Sequence, residues 1–136
     1  MQKELIDNNP ILKKTIEFSL LVIDYCELLD TNKKFIISKQ LLRSATSIGA
    51  NAMEAQNCES KADFIHKIKI AAKEADEVQY WLTLCEYANQ FPNCSHLNDK
   101  LTEIQKIINA ILGTSNRKNP LSYFMSFFIF NMLFCY

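Results

Sequence analysis

Two patterns in the sequence have spacings that metal sites use. Asp63-x-x-His66 sets an acid and an imidazole one helical turn apart, and Cys94-x-His96 sets a thiol beside an imidazole. A di-iron bundle needs a Glu-x-x-His motif on each of two helices and carboxylates from the other two. Asn93, not an acid, stands three residues before His96, so that set is incomplete. A lone Cys-x-His is too short a pattern for zinc. Both histidines therefore read as surface residues. Serines and cysteines are present, but no nucleophile elbow, phosphate loop or paired-acid signature accompanies them. No catalytic residue, metal site or cofactor is assigned, and a metal-dependent bundle enzyme is the third reading of function.

Two polar constellations remain. Arg43, Ser47, Asn51 and Glu54 recur at helical spacing in a stretch otherwise built of small residues, LLRSATSIGANAMEAQN. The arginine offers a planar donor fork and the glutamate a carboxylate to orient it or to pair across an interface. They are the candidate interface or partner-binding residues. The second constellation, Lys61, Lys67, Lys69 and Lys73, is countered nearby only by Asp63 and is the nucleic-acid candidate. Phosphate contacts of this kind bind without reading sequence and weaken steeply with salt. A third basic group, Lys33, Lys34, Lys39 and Arg43, faces the acidic stretch from Glu74 to Glu103 once the chain folds back, with Lys33 expected near Glu86 and Arg43 near Asp76 and Glu77.

Four helices must position these residues. The first is expected from Asn9, as cap, and Pro10, at its first turn, to about Asp30. It carries two apolar stripes, Ile11, Phe18, Val22, Tyr25 and Leu29, and beside them Leu12, Ile16, Leu20 and Ile23. Together they cover more than half the circumference, either as a partner surface or as a deeply packed helix. The second helix is expected from Phe35 to Cys58, with Ile37, Leu41, Ala45, Ile48 and Ala52 inward. The third opens at Ser60, whose side chain can cap amides near Asp63. Its inward residues, Phe64, Ile68, Ala71, Ala75, Val78, Leu82 and Cys85, alternate spacings of four and three. Tyr80, Trp81 and Tyr87 near its end are expected to pack on the first helix or on a neighbouring subunit. The fourth runs from Ser95 through Leu97, Leu101, Ile104, Ile108 and Ile111, and Gly113 is placed to end it.

Short links make consecutive helices antiparallel neighbours, so the fold class is all-α, an antiparallel up-down four-helix bundle. Pairing about a turn near Glu59 sets Leu41 near Val78, Ala45 near Ala75 and Ile48 near Ala71. Small residues facing alanines let two backbones approach closely, which accounts for Ala45, Gly49 and Ala52. Arg43, Ser47, Asn51 and Glu54 are expected on the face turned away.

Composition agrees with this class. Two glycines and three prolines in 136 residues are too few for a turn-rich sheet protein. Fifteen basic residues balance fifteen acidic ones, which excludes a surface that is polycationic throughout. Five scattered cysteines and a charged N-terminus, MQKELIDNNP, point to free thiols in the cytoplasm. Residues 1–118 are assigned to the bundle. Residues 119–136, NPLSYFMSFFIFNMLFCY, carry no charge. As a helix, Leu121 to Tyr136 would span about 24 Å, short of the roughly 30 Å of a hydrocarbon core. This tail is read as lying outside the fold, with membrane contact only if it is native and exposed.

The ordered set Arg43-Ser44-Ala45, Ser47-Ile48, Asn51, Glu54, Ser60…Asp63-Phe64, Ile70-Ala71, Glu74-Ala75 and Trp81-Leu82 closely resembles the four-helix-bundle proteins encoded in intervening sequences of bacterial 23S rRNA genes. That group is similar to the accessory variability proteins of diversity-generating retroelements. The match covers about residues 8 to 113. The resemblance implies an up-down bundle assembling as a homopentameric ring, without known catalytic activity. It also implies that the retroelement relatives bind nucleic acid and reverse transcriptase through a strongly basic ring. This chain departs from them in its neutral charge, and in having Ala55 where many relatives carry a glycine shortly after the glutamate. The resulting expectation is a self-assembling, non-enzymatic scaffold for protein or nucleic-acid partners, RNA or DNA. The alternative is a nucleic-acid-binding accessory protein of the retroelement type.

Overall fold

The structure, a computed structural model, describes residues 2–115. The assigned domain end at 118 and the tail at 119–136 lie outside the described residues. Five helices follow one another: α1 Gln2–Asp7, α2 Pro10–Thr31, α3 Phe35–Ala55, α4 Lys61–Tyr87 and α5 Ser95–Ser115. No strand occurs among the described residues, so the class is all-α. The short α1, absent from the sequence reading, packs on α2. The other four close a cycle in which α2 touches α3, α3 touches α4, α4 touches α5, and α5 returns to α2.

The helix ends show how local sequence sets the elements. Pro10 occupies the first turn of α2, where its missing N–H costs nothing. Asn9 has the extended backbone of a cap, yet its side chain does not cap. Its Nδ2 instead donates to Gln56 Oε1 at 3.0 Å, tying the start of α2 to the end of α3. Helix α2 ends in a tight reversal, with Lys33 N donating to Asp30 O and Lys34 N to Leu29 O, both at 2.9 Å. This pattern needs a left-handed residue, and Lys33 adopts φ 58° where glycine would be relaxed. Helix α3 stops at Ala55, short of the expected Cys58. Asn57 and Cys58 donate three residues back, to Glu54 O and Ala55 O, so the last turn tightens out of α geometry. Ser60 caps α4 as expected, its Oγ accepting from Asp63 N at 3.1 Å. Gly113 does not end α5, which continues to Ser115 with no left-handed glycine.

The core is one cluster lined by the inner stripe of α2, by Leu41, Ala45, Ile48 and Ala52 of α3, by Ile68, Ala71, Ala75 and Val78 of α4, and by Leu97, Leu101, Ile104 and Ile108 of α5. The expected pairing of α3 with α4 places all its small members inside. Gly49 is the exception. Its missing Cβ would lie 3.2 Å from Thr15 Oγ1, so it serves the contact with α2 and not the one with α4. Thr15 is buried there and returns its hydroxyl to Ile11 O at 2.7 Å. Higher in the same seam, Ser38 and Cys26 exchange hydrogen bonds through each other's carbonyls. Across the bundle, Tyr25 donates to Pro92 O at 2.8 Å and fastens α2 to the α4–α5 link.

Cys26, Cys85 and Cys94 are buried free thiols, and Cys58 is half-buried. Burial pushes the Cys94 thiol up to about 11. Two substitutions test this packing in urea denaturation. Gly49→Val should destabilise by about 1–3 kcal/mol, because the added carbons meet Thr15 in a seam with no slack. Lys33→Gly should stabilise by about 1 kcal/mol by relieving the left-handed lysine.

Candidate functional site

The polar stripe of α3 does not turn away from α4; it borders it. Arg43 Nη1 donates to Glu74 Oε2 at 3.3 Å, and Nη2 donates to Glu77 Oε1. Trp81 Nε1 donates to the same Glu77 oxygen at 3.1 Å. The expected partner Asp76 lies on the exposed side of α4, because only Glu74 and Glu77, three residues apart, share the face beside α3. At the other end of the stripe, Glu54 Oε2 accepts from Lys67 Nζ at 2.6 Å. Between them Asn51 Nδ2 donates to Ser47 O at 2.9 Å and to Ser47 Oγ at 3.3 Å. All four residues thus face partners inside their own hairpin. Lys33 makes no ion pair with a described residue, and Glu86 accepts instead from Asn98.

The lysine cluster is divided. Lys67 points to the α3 side, and hydrogen bonding to Glu54 holds its ammonium above the usual range. Lys69 and Lys73 are exposed and make no ion pair with a described residue, while Lys61, also exposed, lies at the helix start. His66 and His96 are exposed on different helices. Among the described residues, no group of three or more His, Cys, Asp or Glu is arranged to hold a metal.

The largest departure from a closed bundle is apolar. On α2 the inner stripe is buried, but of the second stripe only Leu12 is. Ile16, Leu20 and Ile23 stay 37%, 58% and 38% exposed, at spacings of four and three along one face. A second patch was not foreseen. Arg43 reaches Glu77, and Ile36 and Leu84 stand seven residues from each, two turns further along the same faces. That puts Ile36, 79% exposed, beside Leu84, 36% exposed. Tyr80 and Tyr87 flank Leu84 on α4 and are themselves exposed, so of the two expected places neither takes the one on α2, which leaves a neighbouring subunit as the other. Only Trp81 is partly buried against the core, with Tyr80 edge-on at 5.3 Å between ring centroids. The heptad step between Ile36 and Arg43 was the available signal for this patch.

With this arrangement in view, comparison with known proteins gives a family. Residues 7–110 match the family model of the 23S rRNA-intervening sequence protein. The chain belongs to that family. A solved structure from Bacteroides thetaiotaomicron VPI-5482, described as a protein with unknown function from the S23 ribosomal protein family, is 40% identical. It covers 76% of this chain and 99% of its own, with a TM-score of 0.73. No curated protein matches. The family thus accounts for the bundle, and the residues above are this member's own version of its surface.

The ion pairs set an acid dependence. Arg43, then Trp81, holds the Glu77 carboxyl below its usual range, and Lys14, at 2.7 Å, does the same to Glu103. A folded-state value below the unfolded one contributes stability above the unfolded value, about 4.3, and loses it as pH falls through the folded value. Thermal melts should therefore drop below about pH 4.5. Arg43→Ala should shrink that drop while costing under ~1 kcal/mol at neutral pH, since these groups are partly solvated.

Proposed function

We propose that this family member is a non-catalytic helical scaffold that assembles with copies of itself in the cytoplasm and holds protein or nucleic-acid partners on the assembly. The exposed row Ile16, Leu20 and Ile23 on α2 carries this reading. The inner stripe of α2 and Leu12 fill its share of the core, and Ile16, Leu20 and Ile23 keep part of their apolar surface in water in the single chain. Burying that surface in a subunit contact is worth on the order of 1 kcal/mol for each side chain. A closed ring of five is the finer form of the proposal, resting on the resemblance to the family. The stripe Arg43, Ser47, Asn51 and Glu54 supports it differently than expected. Its ion pairs join α3 to α4, and bonds already made inside a subunit are not free to join a second one.

A second reading, nucleic-acid binding, is favoured by one observation: Lys69 and Lys73 are exposed on the outer face of α4, with Asp76 as the carboxylate on that face, and neither makes an ion pair with a described residue. Repetition around an assembly would raise a weak patch by avidity. RNA binding measured against salt should then lose about one unit of log–log slope for each lysine changed to alanine. A slope near zero in the unsubstituted protein would end that reading.

Among the described residues no helix is long and apolar enough to cross a membrane. The main test is the light-scattering mass of the full-length chain. It should be several times 15.7 kDa, and Leu20→Asp should weaken association by at least about tenfold, the loss of one buried contact residue. A full-length chain running at the mass of one copy would overturn the proposal.

A further inference from the structure

Among the described residues, three buried thiols gather toward the end of the bundle that holds the α2–α3 and α4–α5 links. Cys26 is engaged across the α2–α3 seam, where it donates to Ser38 O at 3.4 Å. The other two share one place. Cys94, on the α4–α5 link, donates to Leu82 O of α4 at 3.6 Å. Cys85 follows Leu82 by one turn on the same buried face, where Cβ atoms lie about 5–6 Å apart. The Tyr25 hydroxyl has both thiols within hydrogen-bonding reach. It also fixes the link by donating to Pro92 O at 2.8 Å. One tyrosine thus holds Cys85 and Cys94 beside each other, on segments that only the link joins. A disulfide asks for Cβ atoms about 3.5–4.5 Å apart. Two side chains gathered on one hydroxyl reach that by a small movement of the link.

We infer that Cys85 and Cys94 are a latent disulfide pair, which an oxidant joins when the α4–α5 link opens and which then ties the link to α4. The step balances with hydrogen peroxide as the oxidant. The two thiols give up two protons and two electrons, the sulfurs bond to each other, and the peroxide leaves as two waters. Only a thiolate attacks. In the closed bundle both thiols are buried, and burial pushes Cys94 up to about 11, so almost none of it is thiolate at neutral pH. The closed form is therefore inert, and opening of the link sets the rate. Two contacts from the other link and from α2 restrain that opening. One is the Tyr25 bond to Pro92, and the other is Lys34 Nζ, 5.0 Å from the centroid of the Phe91 ring. Once formed, the disulfide removes freedom from the unfolded chain, so the oxidised bundle resists unfolding more than the reduced one.

The test treats the full-length chain with hydrogen peroxide at neutral pH, alkylates the remaining thiols and maps the peptides by mass. Cys58→Ser with Cys135→Ser leaves Cys26, Cys85 and Cys94 as the only thiols, so the pairing is read without competition. The expected product is a Cys85–Cys94 cross-link, lighter than the reduced chain by two hydrogens, with Cys26 recovered alkylated. It should form faster in urea too dilute to remove the helical circular dichroism, should raise the melting temperature, and should reverse with a reductant. Cys94→Ser should leave Cys85 free and abolish the rise. Recovery of both Cys85 and Cys94 as free thiols would overturn the inference, whatever the variants do. Pairing of either one with Cys26 would overturn it equally. A cross-link whose rate ignores urea would overturn the control by the link.

Discussion

Close approach of α3 to both its neighbours is the constraint on which the rest of the bundle depends. Ser44, Ala45 and Ala52 of α3 are fully buried together with Ala71 and Ala75 of α4, and Gly49 admits Thr15 of α2. Serine, threonine and glycine lower the intrinsic preference of this segment for helix. Dispersion contacts along two closely packed seams supply what propensity lacks. Because α3 lies so near α2, α2 fills its share of the core with its inner stripe and Leu12, and Ile16, Leu20 and Ile23 are left on the rim. The small residues thereby create the exposed apolar row that the functional reading uses.

Charge settles the alignment that packing permits. Helices α2, α3 and α4 each carry lysine or arginine in their first half and carboxylates in their second: Lys13 and Lys14 before Asp24, Lys39 and Arg43 before Glu54, Lys69 and Lys73 before Glu74 and Glu77. None has a basic residue in its last turn. This order runs against the helix dipole where a charge falls in an end turn, as Glu54 does in α3, whereas Asp63 in the first turn of α4 lies with it. Antiparallel neighbours make use of the order, because the basic half of one helix then lies beside the acidic half of the next. Arg43 with Glu74 and Glu77 at one end of the hairpin, and Lys67 with Glu54 at the other, show that pairing. The two ends together hold one register, since sliding α3 by a turn would separate both.

Much of this was legible in the residues. Alternation of fours and threes from Ile68 to Cys85 identified the buried face of α4, and Ser60 with Asp63 identified its start. The excess apolar arc of the first helix was visible as a second stripe, though periodicity alone does not tell a partner surface from deep packing. What escaped depends on choices between neighbours. Asn9 looks like a cap and prefers Gln56; Gly113 looks like a stop, yet nothing in its surroundings requires a left-handed turn. The polar stripe was placed on the wrong side because Arg43 lies near the border of two faces. A long guanidinium crosses that border when carboxylates stand beyond it.

The same border explains why the unpartnered surface beside it is apolar and not polar. A charged residue at the edge of a helix seam finds its partner in the adjacent helix, and once paired it adds little to binding elsewhere. An isoleucine or leucine at that edge has no such outlet: Ile36 and Leu84, level with each other in the register that Arg43 and Glu77 set, both remain accessible. Intramolecular electrostatics thus sorts the rim of this bundle, pairing Arg43, Glu54 and Lys67 at its surface and leaving the apolar residues without partners of that kind. Register within the chain therefore falls to the charged residues of the rim, and the exposed apolar surface to their neighbours on the same helices.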